Sequence, residues 1–134
     1  MSTDNVEFAR SLGADVVIDY KTQRFEDEAS DLDMVFDLID GETRERSWPL
    51  LKKNGVLVST LTDPSQEKAR QMGVRAMRYT VEADGAELAE IVKLVTAGKV
   101  NPHVGKTFTL DAAAEALAVV EDGHAVGKVV LTAA

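Results

Sequence analysis

Residues 11–20 read SLGADVVIDY: a helix end built of small residues runs at once into a short apolar strand closed by Asp19 and Tyr20. Val16, Val17 and Ile18 are all β-branched, which suits a pleated and well-covered backbone. The stretch arrives ten residues into the chain, behind a charged stub with no strand of its own. It reads as the middle of an alternating strand and helix pattern, and the residues that follow continue that pattern.

Three more apolar runs lie at Met34-Val35-Phe36, Val56-Leu57-Val58 and Ala76-Met77, mostly bounded by Gly, Asp or Asn. Their apolarity is continuous rather than alternating, which predicts parallel strands covered on both faces. Helical spacing fills the intervals. Residues 43–53 carry Trp48, Leu50 and Leu51 among charges, and Pro49 inside them forfeits the bond to Glu45 and should kink or split the helix. Residues 64–72 predict a short polar helix with Asp63 as N-cap, Pro64 at its first position and Gly73 at its end. Leu88, Ile91, Val92 and Val95 share one helical face before Gly98. A last helix opens at Asp111, should bury Ala113, Ala116, Leu117 and Val120, and stops near Gly123.

Alternating elements of this kind imply an α/β fold, a mostly parallel sheet with right-handed crossovers and helices on both faces, in one domain over residues 1–134. Ligands of such sheets bind beyond the carboxyl ends of the strands. Attention therefore falls on Asp19 and Tyr20 and on the loops 37–41, 59–63 and 79–85.

Composition narrows the function. The 134 residues carry a net charge of −8. That balance opposes binding to nucleic acid, which needs a basic face, and to an anionic membrane surface. No run approaches the roughly 18 apolar residues of a membrane span. There is no cysteine, hence no disulfide frame and no thiolate zinc site, and a cytoplasmic location is expected. His103 and His124 stand far apart without metal-ligand spacing, so no metal is expected. Glu26, Asp27 and Glu28 read as a solvated helix face, and no G-x-S-x-G nucleophile elbow occurs.

Taken in order, SLGADVVIDY, DMVFDLIDG, LLKKNGVLVST and GKTFTLDAAAEALAVVEDGHAVGKVVL resemble the C-terminal part of the medium-chain dehydrogenase/reductase superfamily, in its zinc-independent quinone oxidoreductase-like branch. The resemblance implies a partial Rossmann-like sheet that holds NADP(H) and a separate catalytic domain that closes over the nicotinamide. It implies hydride transfer from NADPH to a quinone or to an activated carbonyl or alkene. Residues 106–134 would return to that catalytic domain. The chain departs from the family pattern by lacking the first two strands and the Gly-rich turn, so a truncated dinucleotide-binding domain is expected. Two other readings stand beside the enzyme: a non-catalytic binding or assembly module, and a folded fragment without turnover.

The same resemblance assigns the cofactor rim. Ser2 and Thr3 stand where the adenosine ribose or its 2′-phosphate would be held, with Lys21 near enough to replace a missing basic residue. Tyr20 is either a neighbour of the adenosine phosphate or a strand-end aromatic packed on the sheet edge. Asp37 through Gly41 would pass under a ribose, and Ser59, Thr60 and Leu61 would meet the nicotinamide amide. No catalytic residue is assigned, because hydride transfer needs orientation of donor and acceptor more than a dedicated acid or base. In the family strand order, strand 15–20 would be parted from strand 34–38 by two absent strands. The unpaired edges predict that 15–20 moves beside 34–38 or that a second copy fills the gap, giving a homodimer. Strands 106–110 and 127–132 should pair with each other.

Overall fold

The apolar runs at 34–36, 56–58 and 76–77 do form a parallel sheet, and the elements around it follow from local chemistry. The structure, a computed structural model, describes residues 1–133, which divide into two compact units, Met1–Val81 and the residues from Glu82 on. The first unit runs α1 (Val6–Ser11), α2 (Phe25–Glu28), β1 (Leu32–Asp37), α3 (Gly41–Ser47), β2 (Leu51–Ser59), α4 (Gln66–Met72) and β3 (Arg75–Arg78). Its sheet order is β1-β2-β3 with every pair parallel, placing Val35, Leu57 and Ala76 in one row and Phe36, Val58 and Met77 in the next. The second unit runs α5 (Gly85–Thr96), β4 (Val104–Thr109), α6 (Ala113–Glu121) and β5 (Lys128–Thr132). Here β4 and β5 pair in parallel with α6 between them in sequence, as expected.

The opening stretch is the main correction. Residues 15–20 form no strand. The Met1 amino group donates to the Ile18 carbonyl at 2.7 Å and the Tyr20 amide donates to the Met1 carbonyl at 3.1 Å. One residue is too short a partner for a ladder, so β propensity alone leaves Val16 and Tyr20 mostly exposed. The stretch does not join β1, whose ladder runs to β2.

Pro49 splits its helix more sharply than a kink. The α-helix ends at Ser47, a single 3-10 turn covers Trp48–Leu50, and β2 starts at Leu51 rather than after 53. The first part of β2 is irregular: Leu32 pairs with Leu51 but Met34 pairs with Val56. Asn54 takes φ +66° there, and a Cβ on Gly55 would stand 2.9 Å from the Lys52 carbonyl oxygen, so the bulge needs glycine. The cap of α4 is Ser65, whose hydroxyl accepts from the Lys68 amide at 3.2 Å, rather than Asp63, while Gly73 closes the helix in the left-handed region as read.

Trp48 and Leu57 are fully buried and form the core with Leu51, Ala69 and Val74, against which Leu32, Val35, Met72 and Ala76 pack. The opposite row is open: Met34, Phe36 and Met77 are 49%, 54% and 46% exposed. Continuous apolarity had implied cover on both faces. The reason for the difference is handedness: β1 to β2 and β2 to β3 step in the same direction, so right-handed crossovers carry α3 and α4 over the same face. In the second unit Ala116 is buried but Leu117 and Val120 are more than half exposed, because a two-stranded sheet covers only a narrow stripe of α6. Glu26 is also not solvated; it is paired with Arg46.

Candidate functional site

The carboxyl ends of β1 and β2 bring five of the expected residues onto one rim. Asp37, the last residue of β1, is buried. Its Oδ1 accepts from the amides of Ile39 (3.1 Å) and Asp40 (2.9 Å), while its Oδ2 is buried without a partner. Asp37 thus closes the strand-end turn, and one carboxylate oxygen is left over from it. Across the ladder Ser59 is fully buried. Its hydroxyl accepts from the Leu61 amide at 3.3 Å, and the Thr60 amide donates to the Asp37 carbonyl at 3.2 Å. Gly41 begins α3 and donates its amide to Asp40 Oδ1 at 2.7 Å.

Asp40 and Thr62, inside the two expected loops, and Arg44, which lies outside them, tie this rim together. The Thr62 hydroxyl donates to Asp40 Oδ2 at 2.6 Å. The Arg44 guanidinium lies 2.8 Å from Asp40 Oδ1 and donates to both the carbonyl and the hydroxyl oxygen of Thr62, at 3.1 and 2.8 Å. The Thr62 hydroxyl, then the Gly41 amide, hold the Asp40 carboxyl below its ordinary range, with the Arg44 charge assisting. The signal available in sequence was the Asp40-Gly41 turn dipeptide with an arginine four residues after the aspartate.

The remaining expected residues form a separate network. Thr3 donates its hydroxyl to Asp19 Oδ2 at 2.6 Å, and Asp19 Oδ1 accepts from the Lys21 amide at 3.0 Å. These bonds hold the Asp19 carboxyl below its ordinary value, the Thr3 hydroxyl contributing most. The Ser2 hydroxyl accepts from the Asn5 side chain at 3.1 Å. Tyr20 is 66% exposed, so it is not packed as a strand-end aromatic.

The rim has a definite chemical character. The amides of Ile39, Asp40, Gly41 and Leu61 are already spent on side-chain oxygens. What it offers a ligand is acceptor-rich, chiefly carbonyl oxygens and the Thr60 hydroxyl, since the Asp40 carboxylate is engaged and Asp37 Oδ2 is buried. Such a surface fits hydroxyl and carboxamide donors and repels phosphate. The sequence has no cysteine, and no group of three or more metal-ligating side chains is found among the described residues. In the second unit, a cavity of about 590 Å³ lined by His103, Lys106, Asp122, His124 and Val129 holds none of the rim residues. No helix among the described residues is long and apolar enough to cross a membrane.

A parallel α/β sheet with polar loops gathered at its carboxyl edge defines the class, a partial Rossmann-like fold. The chain matches the zinc-binding dehydrogenase family over residues 12–131, and it belongs to that family. It is 32% identical to the mitochondrial NAD(P)H oxidoreductase RTN4IP1 of Mus musculus, over 97% of this chain and 40% of that protein. It is 31% identical to the 2-methylene-furan-3-one reductase of Solanum lycopersicum, over 97% of this chain and 31% of that protein. Among solved structures, the quinone oxidoreductase from Coxiella burnetii superposes with a TM-score of 0.83 at 30% identity, covering 98% of this chain and 43% of that one. The chain spans roughly a third to two-fifths of the length of these relatives.

Proposed function

We propose that the chain is the cofactor-domain part of an NADP(H)-dependent oxidoreductase of the quinone oxidoreductase-like type, acting on a quinone or an activated carbonyl or alkene. The observation that carries this reading is the gathering of Asp37, Gly41, Ser59, Thr60 and Leu61 at the carboxyl edge of a sheet whose family match spans 12–131. NADPH, when bound, supplies the hydride. The protein's part is to orient it. The Thr60 hydroxyl and the carbonyls of the 37–41 turn accept from ribose hydroxyls and the carboxamide. The negative rim keeps the phosphates away, toward Ser2, Thr3, Tyr20 and Lys21. The lack of cysteine suits a reducing compartment, in keeping with the cytoplasm.

Calorimetric titration of the whole chain with NADPH and NADP⁺ tests the reading: micromolar binding favours a site retained by this chain, and no heat at millimolar nucleotide favours a module or folded fragment without one.

A binding or assembly role has its own support. The outer edge of β1 carries no ladder among the described residues, and Met34 and Phe36 lie open beside it. Unpaired edges flanked by apolar surface invite association, and a homodimer through those edges is the partner this favours. Light scattering on a concentrated solution decides it, a monomer counting against it.

A further inference from the structure

We propose that Asp40 and Arg44 are positioning residues for the nucleotide rim, clamping the turn after β1 to the turn after β2; this rests on reading that rim as a cofactor site. Asp40 has φ +68° and ψ −168°, a region that is essentially reserved for glycine and that other residues hold only when their surroundings over-determine them. Its surroundings do so. Its amide is bonded to Asp37, and its carboxylate takes the Gly41 amide, the Thr62 hydroxyl and the Arg44 guanidinium. Arg44, with its side chain only 13% exposed, adds two bonds of its own to Thr62.

Neither turn requires this arrangement by itself. A glycine at 40 would take the same backbone angles without strain. The network is not tuned for stability either, since Arg44 Nε and Asp37 Oδ2 are both buried without partners. What the ties accomplish is a fixed spacing between 37–41 and 59–62, two loops on different crossovers. A ligand that needs acceptors from both then meets them already in place, and less order has to be imposed on binding. Strain held where two strand-end loops meet, and where an unstrained residue would fold as well, is the pattern of a preorganised ligand rim.

Hydrogen exchange on the full chain, with NADPH titrated into each protein, tests the clamp in the wild type and in Arg44→Leu, Thr62→Val and Thr62→Ser. Arg44→Leu and Thr62→Val should speed exchange about tenfold at Ile39, Asp40, Thr60 and Leu61 together and weaken NADPH binding by a similar factor, the β2–β3 ladder staying unchanged. Thr62→Ser, which keeps the hydroxyl, should behave as wild type. A general structural role would loosen the ladder as well, and that pattern overturns the proposal. So does loosening confined to 39–41, or NADPH affinity that stays unchanged while both turns loosen. A wild-type chain that binds no NADPH overturns the cofactor reading instead, while the exchange pattern still reports whether the two turns are coupled.

Discussion

Glu26 and Arg46 form a two-pronged pair: the Arg46 Nε and NH2 groups donate to the two carboxylate oxygens of Glu26, joining α2 to α3. The same guanidinium lies over the Phe25 ring, 4.9 Å from its centroid. Hydrogen bonding to Arg46 lowers the Glu26 carboxyl from its ordinary 4.5 to about 2, and Arg46 is raised in turn. A carboxylate depressed in the folded state stabilises fully above its unfolded value and loses that contribution as pH falls through the folded one. Stability should therefore decline between about pH 4.5 and about pH 2 on account of this pair. Glu26→Gln should lower the melting temperature at neutral pH and flatten the curve across that window. An unchanged acid limb in the variant would count against it.

Leu57 is fully buried in the centre of the β1–β3 sheet, against Trp48, Leu51, Ala69 and Val74. Leu57→Ala should cost about 2–5 kcal/mol, read as a shift in urea midpoint at constant slope. A loss below about 1 kcal/mol would mean that the core repacks around the cavity.

Gly105 in β4 faces the backbone of the loop before β5. A Cβ there would stand 2.0 Å from the Val126 carbonyl oxygen, and backbone cannot give way as a side-chain tip can. Gly105→Ala should destabilise the β4–β5 pair by about 1–3 kcal/mol, with amide exchange rising at Thr107 and Phe108 while the β1–β2 ladder stays protected. Protection of β4 equal to wild type would refute the close approach.

Phe36 points from β1 to the open side of the sheet and is 54% exposed. Phe36→Ser should change folding stability by no more than about 0.5 kcal/mol yet weaken self-association measured by sedimentation. Equal association in wild type and variant would remove this face from the interface.

The alternation of strand and helix was legible because the apolar runs at 34–36, 56–58 and 76–77 were separated by segments of helical spacing. The pairing of β4 with β5 was legible because no other strand partner was in view. Residues 15–20 misled because β propensity reports a fit to a pleated surface, and only Met1 is there to supply one. The 43–53 helix was overrun at Pro49, where the residues after a lost amide went to the sheet instead. Exposure of Phe36 could not be read from composition: handedness of successive crossovers decided it. On the rim, strand ends pointed to Asp37 and Ser59. The bonds from Asp40 and Arg44 to Thr62 join residues 18 to 22 apart, a separation beyond any local pattern.

The one-sided cladding of the first unit divides its apolar residues into two kinds. Those on the side of Trp48 and Leu57 act within the chain, and their loss registers in a melting curve. Phe36 and Met77, on the other side, contribute less to folding, since water already reaches about half of each. Their hydrophobicity is held in reserve for whatever covers them, so substitutions in that row should pass unnoticed in a stability screen and be caught only when a second surface is brought to meet them.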